Sequence, residues 1–516
     1  MSSQSRSLPE RPSLRFLKLE ARERLAAGEF GTLHEAQLAI AREHGEPSWA
    51  ALKRLVESRP APDNHALDQV RWVLARFAGA DGPGWTAPAE EELAAHLEPR
   101  FLERVRPARL TEALSRRARL LREELTVLHD APLAVRAKAG SVQIEATAAA
   151  ESPHRLTMLR VFPVGGKVTD ARVATPPVQV SGAAPAAVAG IAATAFGELG
   201  LAGLVLAGAA AAESREPADT GLAGAAGWAV ARGWADLDRA EALQPGHRFP
   251  AWGVTKVVTA IAALRLVADG RVGLDEPANR YLGLVRLADD AVTVRDLLAH
   301  TGGVDSPDEL FADMVPELAE LTGLVLGCSG ERGAFRYSSG GYAALGALIG
   351  EVTGTAYADA ATRLVLAPLG MTGSAFPGQP GRAGQDAVTG YHLDAEDGLF
   401  KPVRPERVCT MPAAGGLWAT AGDLVRLGAG WRSLLPAELA REAVTPQVSR
   451  APVKGEMGLG WVLNTDRDVA GHYNAGPGGC ASLVTRGGAG GVVAVAVTNR
   501  TVPIEPVAAQ VIRAIA

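Results

Sequence analysis

Residues 249–256 read Phe-Pro-Ala-Trp-Gly-Val-Thr-Lys, and an almost wholly apolar stretch follows them as far as Asp269. Apolar residues recur in that stretch three and four positions apart, which predicts a helix from about Gly253 to Asp269 with one buried side. Lys256 lies near the start of this helix, and only seven of the chain's 52 basic residues are lysines. The position of Lys256 is therefore a first indication of a chemical role rather than of ordinary surface charge.

Seven further motifs follow this stretch in the chain. They are Asp269–Asp275 with Pro277, Val292–Gly303, Phe335–Tyr342, Leu366–Met371, Ala414–Leu424, Gly458–Trp461 and Gly471–Pro477. In this order the eight motifs resemble those of the serine β-lactamase and penicillin-binding-protein family, of the class C and serine-esterase type. One such motif is weak evidence, whereas eight in order are strong evidence for the fold.

The resemblance implies an α/β fold over residues 186–516, a β-lactamase-like sandwich in which helices flank an antiparallel sheet. The residue pattern agrees with it, because residues 200–210 and 224–234 near the start and 480–486 and 491–498 near the end are typical of strands. Helical segments lie between these two groups. The two ends of the region are therefore expected to complete one sheet.

The chemistry of that family requires a serine at a helix start, a lysine three residues later on the same face, and a tyrosine that acts as base and then as acid. By the resemblance, Lys256 and Tyr337 are the catalytic lysine and tyrosine. The nucleophile position is Gly253, and no serine lies between Pro245 and Leu266. The resemblance therefore implies that the family's acyl-serine intermediate cannot form at this position.

Two more positions depart from the family pattern. Ser339 stands where the family often has asparagine, and a serine there can still form a hydrogen bond. His472 is kept in the third motif, but Asn474 replaces a glycine and is expected to narrow the site beside the edge strand. The resemblance places the oxyanion-hole donors at the backbone N–H groups of Gly253 and Ala475.

Each of these side chains also has a purely structural interpretation. Lys256 can be a helix lysine that extends its amine towards solvent, Tyr337 a buried tyrosine, and His472 a histidine at a strand end. His300, in a His-Thr-Gly-Gly turn, is interpreted as structural. Cys480 lies near the third motif and is a weak candidate for a substitute nucleophile.

The first 185 residues predict three segments. Residues 1–60 form a short helical leader, and residues 65–165 combine helices with strands in an α+β cone. The run from Trp85 to Leu102 resembles the steroid-isomerase-like domain that precedes a β-lactamase-like protein of the clavulanic acid pathway. No acid–base pair stands out there, so a structural or interdomain role is predicted. Residues 166–185, rich in Gly, Pro, Ala and Val, are predicted to be a linker.

Composition excludes several classes of protein. The chain has 516 residues, a net charge of −5 and 47% hydrophobic residues, which is typical of a globular protein rather than a disordered one, and no basic field indicates a nucleic-acid partner. The three cysteines and ten histidines lack metal-ligand spacing, so neither a metal nor another cofactor is expected. Without a secretory signal or a membrane-spanning stretch, a cytoplasmic location without membrane contact is expected.

The sequence predicts a hydrolase-like protein that acts on an ester, amide or lactam of a small molecule, with acyl-enzyme chemistry absent or altered by Gly253. Two alternatives stay open, namely an inactive protein whose pocket binds an acyl or peptide ligand, and an active site within residues 65–165. Gly253 itself is explained either by natural loss of the serine or by deliberate replacement. Neither the substrate nor the oligomeric state is specified by the sequence.

Overall fold

The structure is a computed structural model, and it describes residues 20–21, 24–25, 30–58, 64–115, 118–131, 133–139, 142–163, 168–209, 227–306, 324–377, 386–394, 397–403, 411–450, 455–487 and 491–515. The chain divides into two compact units, Met1–Asn64 and His65–Ala516. In the first unit, helix α1 (Leu33–Glu43) precedes helix α2 (Trp49–Ser58). Thr32 and Glu35 cap the start of α1 reciprocally, and Ile40 and Leu52 contribute to a small apolar core.

The second unit begins with an α+β region. Its helices are α3 (His65–Phe77), α4 (Glu90–His96), α5 (Pro99–Val105) and α6 (Pro107–Ser115), and its strands are β1 (Leu125–Ala131), β2 (Ala134–Ala139), β3 (Val142–Ala148) and β4 (Leu156–Pro163). The four strands form one antiparallel sheet in chain order, and the apolar side of α3 packs on it. The sequence predicts strands at residues 133–139, 141–148 and 155–162 of this region, but it does not predict β1. The likeness of this region to a steroid isomerase stays a prediction.

Ten of the strands in the described residues build a larger antiparallel sheet. Its strands are β5 (Val178–Ser181), β6 (Gly203–Ala209), β7 (Trp228–Asp236), β8 (Glu241–Ala242), β15 (Val448–Ser449), β16 (Glu456–Met457), β17 (Val462–Asn464), β18 (Val469–Gly476), β19 (Gly479–Arg486) and β20 (Val492–Thr498). Their order is β15-β16-β17-β18-β19-β20-β6-β7-β5, and β8 pairs with β7. Strand β20 pairs with β6, so both ends of the region complete one sheet, as predicted. Strand β5 lies inside the predicted linker 166–185 and is an edge strand of the sheet.

Helices cover both faces of this sheet. They are α7 (Ala186–Glu198), α8 (Thr255–Ala268), α9 (Val294–Leu298), α10 (Ser339–Thr353), α11 (Tyr357–Ala361), α12 (Pro412–Gly415), α13 (Ala421–Gly430), α14 (Ala437–Ala443) and α15 (Glu505–Ile515). Helices α7 and α15 pack on one face, and α8, α10 and α13 contribute to the core on the other. Successive side chains of strand β20 point to opposite faces of the sheet. Ala494 lies in the core with α7 and α15, and Val495 in the core with α8, α10 and α13. The α/β sandwich predicted for this region is confirmed.

In the part of the chain that the structure describes, three short strand pairs lie outside the two sheets: β9 (Arg248–Pro250) with β14 (Trp418–Thr420), β10 (Val285–Leu287) with β11 (Leu324–Leu326), and β12 (Tyr391–Leu393) with β13 (Phe400–Pro402). The first pair fixes the chain directly before the residue-253 turn. Within the described ranges, no helix is both long and apolar enough to cross a membrane.

A cluster of charges connects the four-stranded sheet with helix α15. The Arg136 guanidinium lies 2.8 Å from a carboxylate oxygen of Glu145 and 3.9 Å from one of Glu505. Burial raises the pKa of Glu505, and the positive charge of Arg136 opposes that rise. Burial also tends to lower the pKa of Arg136, but Glu145, Glu505 and Tyr473 together raise it above its usual value.

Candidate active site

The nucleophile position lies in a tight turn before helix α8. Residues Trp252–Val254 form a 3-10 turn, and the α-helix begins only at Thr255, two residues later than the sequence pattern predicts. Trp252 has a positive φ of 45°, which is uncommon for a bulky residue. Its ring lies over Gly476, where an added Cβ would come within 2.5 Å of the ring atoms. The turn therefore holds Gly253 close to strand β18.

Gly253 is buried against two side chains of the predicted site. A Cβ atom placed on Gly253 would lie 2.6 Å from Cβ and 2.9 Å from Nδ2 of Asn474, and 2.9 Å from Oη of Tyr337. In proteins, a Cβ atom essentially never lies within 3.0 Å of a heavy atom from a residue that is not its neighbour in the chain. The space for a nucleophilic side chain at residue 253 is thus occupied by Asn474.

Lys256 is buried, with 2% of its surface exposed. Its Nζ donates hydrogen bonds to the backbone oxygen of Ala414 at 2.8 Å and to Oγ of Ser339 at 3.2 Å. It also lies 4.8 Å from the ring centre of Tyr337 and 5.6 Å from that of Tyr342. No carboxylate among the described residues forms an ion pair with it. Lys256 therefore lies inside the site and does not extend to solvent.

The hydrogen bonds of His472 determine which of its ring nitrogens carries the proton. Its Nδ1 lies 3.1 Å from the backbone oxygen of Gly460, which can only accept, so Nδ1 is the donor. Burial, together with the nearby charges of Lys256 and Arg450, lowers the pKa of His472 to about 3. The ring is therefore neutral, and Nε2 accepts the hydrogen bond from Oη of Tyr337 at 3.0 Å.

Asn474 completes the contacts of Tyr337. Its Nδ2 donates to Oη of Tyr337 at 3.4 Å. His472 and Asn474 share one face of β18, since successive side chains of a strand alternate between faces. Strand β17 pairs with β18 only as far as Gly471. Residues 472–476 of β18 therefore pair with β19 on one side and, among the described residues, have no paired strand on the β17 side. This part of β18 is an edge beside the turn at Gly253.

Ser339 lies at the first position of helix α10. The helix is capped by Ser338, whose Oγ accepts the N–H of Gly341, while Oγ of Ser306 accepts the N–H groups of Ser339 and Gly340. The hydroxyl of Ser339 is not used by these caps and contacts Lys256 instead. Neighbouring hydroxyls thus fix the backbone, and the Ser339 side chain faces the amine.

His300 fixes the turn that carries Tyr337. The N–H of Ser338 donates to Nδ1 of His300 at 3.0 Å, and the imidazole ring lies 4.4 Å from the ring of Tyr337 and 4.9 Å from that of Tyr342. Burial and the charge of Lys256 lower its pKa well below the usual value. These contacts agree with its structural interpretation.

The structure brings Lys256, Tyr337, Ser339, His472 and Asn474 together around Gly253. Ala475 is exposed on the same strand, and no contact in the described part of the chain tests its predicted oxyanion role. Cys480 instead packs in the core beside α7 and α15, and burial raises its pKa strongly. A substitute nucleophile at Cys480 is therefore excluded by its position.

Sequence reasoning missed three partners of these residues. The backbone oxygens of Ala414 and Gly460 fix Lys256 and His472, and Ser306 fixes the start of α10. The first two lie in motifs that the sequence shows, but a backbone acceptor has no side-chain signal. In the described ranges, no group of three or more His, Cys, Asp or Glu side chains could hold a metal ion.

Comparison with known proteins places the region in a family. Residues 187–516 match the family model described as Beta-lactamase. "Protein flp" of Staphylococcus aureus (strain N315) is 27% identical over 173 residues, 31% of this chain and 34% of that protein. "Protein Rv1367c" of Mycobacterium tuberculosis is 29% identical over 228 residues, 38% of this chain and 56% of that protein. The chain thus spans about a third to about half of these relatives.

Two solved structures share the fold. The octameric penicillin-binding protein homologue from Pyrococcus abyssi has a TM-score of 0.52 and 21% identity, over 62% of this chain and 75% of its own. The penicillin binding protein from Bacillus halodurans has a TM-score of 0.51 and 20% identity, over 64% and 99% respectively.

Proposed function

The chain belongs to the β-lactamase family, and from this we propose that its C-terminal region binds a small ester, amide or lactam without acyl transfer through residue 253. One observation carries the proposal: the side chain of Asn474 fills the space that a nucleophile on residue 253 would need. An acyl-enzyme requires a covalent bond from that position, and glycine has no side chain with which to form it.

The polar groups around Gly253 support binding of a carbonyl compound. Lys256 supplies a buried amine, Tyr337 a hydroxyl and Asn474 an amide N–H, all within one connected set of contacts. His472 is neutral, so its Nε2 accepts a hydrogen bond from the Tyr337 hydroxyl without adding charge to the site. Polar donors that converge on a preformed site are what a carbonyl ligand requires.

The same observation supports the inactive ligand-binding alternative. A family member without the nucleophile can keep ligand affinity while it loses turnover, because binding and acyl transfer use different groups. A steroid-isomerase-like fold for residues 65–165 and a cytoplasmic location are further parts of this proposal. The first is tested by an experimental structure of the full chain, and the second by cell fractionation.

Ligand-induced thermal stabilisation tests the proposed function. The full chain is screened against benzylpenicillin, a cephalosporin, short p-nitrophenyl esters and amino-acid amides, and stabilisation by at least one class is expected. The variant Lys256→Met should lose this stabilisation. Lys401→Met is the matched control, because Lys401 is half exposed and forms ion pairs with Asp394 and Asp397. If no compound stabilises the protein, or if both variants respond alike, the proposal is wrong.

A further inference from the structure

Lys256 and Ser339 form a serine–lysine pair although residue 253 is glycine. The Ser339 Oγ and the Lys256 Nζ are 3.2 Å apart, which is within reach of direct proton transfer. Ser339 is partly exposed whereas Lys256 is buried. The hydroxyl can therefore meet a ligand from the outside while the amine lies behind it.

The amine of Lys256 is held in place without an anionic partner. The backbone oxygen of Ala414 takes one of its hydrogen bonds, and the rings of Tyr337 and Tyr342 lie against it. None of the carboxylates in the described ranges forms an ion pair with Lys256. The Ser339 hydroxyl is thus the side-chain group to which the amine is hydrogen-bonded.

Ser339 is also fixed by groups other than its own hydroxyl. Oγ of Ser306 accepts its N–H, and Ser338 caps the helix. Helix α10 runs for 15 residues from Ser339, and the positive end of the helix dipole stabilises negative charge that develops at its first residue. The fold thus supplies rigid placement and a favourable field for an alkoxide at this oxygen.

From these contacts we propose that Ser339 is the nucleophile of this site and that Lys256 is its general base. The proposal rests on the function proposed above and gives it a reaction. Asn474 closes the space beside Gly253, so a ligand carbonyl is directed to the Ser339 side of Lys256. The substrate class is an activated ester or a strained amide such as a lactam.

The reaction balances with the groups present. The Lys256 ammonium first releases a proton to solvent. The resulting amine takes the hydroxyl proton of Ser339, and Oγ forms a bond to the carbonyl carbon as the C=O π pair moves to oxygen. That pair returns as the bond to the leaving alcohol or amine breaks, and the leaving group takes the proton from the Lys256 ammonium. Water, deprotonated by Lys256, then attacks the acyl-Ser339 ester, which releases the acid and restores the hydroxyl.

A fluorophosphonate probe tests the proposal on the full chain, since it phosphonylates an activated serine and releases fluoride. The adduct is expected on the tryptic peptide Tyr337–Arg363, at Ser339. The variants Ser339→Ala and Lys256→Met should each slow labelling by at least about a hundredfold, which is within the usual range for loss of a nucleophile or a base. The control Ser433→Ala removes an exposed serine whose hydroxyl donates only to the backbone oxygen of Gly430, and it should keep the labelling.

A second variant keeps the test valid if Ser339→Ala misfolds. Ser339→Cys should react with iodoacetamide, and adding Lys256→Met should slow that alkylation by about tenfold or more and change its pH dependence. Labelling at another residue, or full labelling of Ser339→Ala, overturns the proposal. If β-lactams or esters stabilise the protein but the probe forms no adduct, Ser339 is not the nucleophile and the binding function stands. If neither occurs, both proposals fail.

Discussion

The side chain of Asn474 lies where a side chain on Gly253 would have to be, with only 2.6 Å between its Cβ and a Cβ added to Gly253. The two residues lie on different elements, the turn before α8 and strand β18, and are far apart in the chain. A side chain at residue 253 therefore requires a smaller residue at position 474, whereas glycine at position 474 is compatible with either residue at 253.

We expect the single variant Gly253→Ser to be destabilised and to form no acyl adduct at residue 253. Its Cβ would contact Asn474 and Tyr337 at less than van der Waals distance, and overpacking of this kind costs about 1–3 kcal/mol. The double variant Gly253→Ser with Asn474→Gly should recover the stability and form an adduct with a chromogenic cephalosporin or a p-nitrophenyl ester. Thermal unfolding measures the change in stability. Mass spectrometry of tryptic peptides locates the adduct, because residue 253 lies on the peptide Phe249–Lys256 and Ser339 on Tyr337–Arg363.

Asn474→Gly alone is the matched control for that experiment, because it opens the same space without adding a hydroxyl. It should form no adduct at residue 253. An adduct at residue 253 in the single variant Gly253→Ser, with unchanged thermal stability, would show that Asn474 does not block the position.

His472 should make the folded protein less stable as the pH is lowered. Its pKa is about 3 in the folded protein and about 6.5 in an unfolded chain. The unfolded state therefore binds the proton first as pH drops, and about 2 kcal/mol of stability is lost by about pH 5. His300 acts in the same direction, because its pKa also lies well below the usual value. Chemical denaturation across this pH range measures the slope.

The variant His472→Gln should flatten this pH dependence, while His34→Gln, at an exposed position of helix α1, should leave it unchanged. An identical slope in His472→Gln and the parent would mean that His472 titrates alike in both states.

Lys256→Met should leave the fold at least as stable as before. The amine is buried without an ion-pair partner in the described ranges, and a buried polar group with incomplete compensation costs about 1–3 kcal/mol. An apolar side chain of similar length removes that cost, so an unchanged or higher unfolding temperature is expected together with loss of ligand binding. Differential scanning calorimetry decides the point, and a large destabilisation would identify Lys256 as a structural residue.

Arg136→Met should weaken the contact between the four-stranded sheet and helix α15. It leaves Glu505 buried beside Glu145 without its counter-charge, at a cost of about 1–3 kcal/mol, between the values for exposed and buried pairs. The folded-state pKa of Glu505 is raised, so the loss should be larger at about pH 8 than at about pH 3, which lies below the pKa of this carboxyl in both states. Adding Glu505→Gln should restore part of the stability. Urea unfolding of the parent, the two single variants and the double variant measures the interaction energy between Arg136 and Glu505.

The sequence predicted the large sheet because its central strands β6 and β20 are almost entirely apolar and most residues of β19 are apolar or β-branched. It missed β1 and β5. Both are edge strands with exposed apolar residues, among them Val127 and Val180, so neither shows the burial pattern from which a strand is recognised.

The site was predictable to the extent that motifs mark it. Lys256, Tyr337, His472 and Asn474 were named from their places in the motifs, and the structure brings them together. The contact between Asn474 and Gly253 was not predictable, because no local pattern relates a turn to a strand more than 200 residues later. Backbone acceptors such as Gly460 were missed because a backbone oxygen has no side-chain signal in the sequence.

The contacts of strand β18 show whether residues 187–516 can be separated from the region before them. His472 and Asn474 face the candidate site, while Tyr473 between them lies near enough to Arg136 to affect its pKa. A fragment cut to the family boundary at residue 187 would keep every motif and yet lose the side chain that neutralises Glu505 beneath this strand. The family match therefore covers less than the unit that holds together physically. That unit also includes the four-stranded sheet before residue 187.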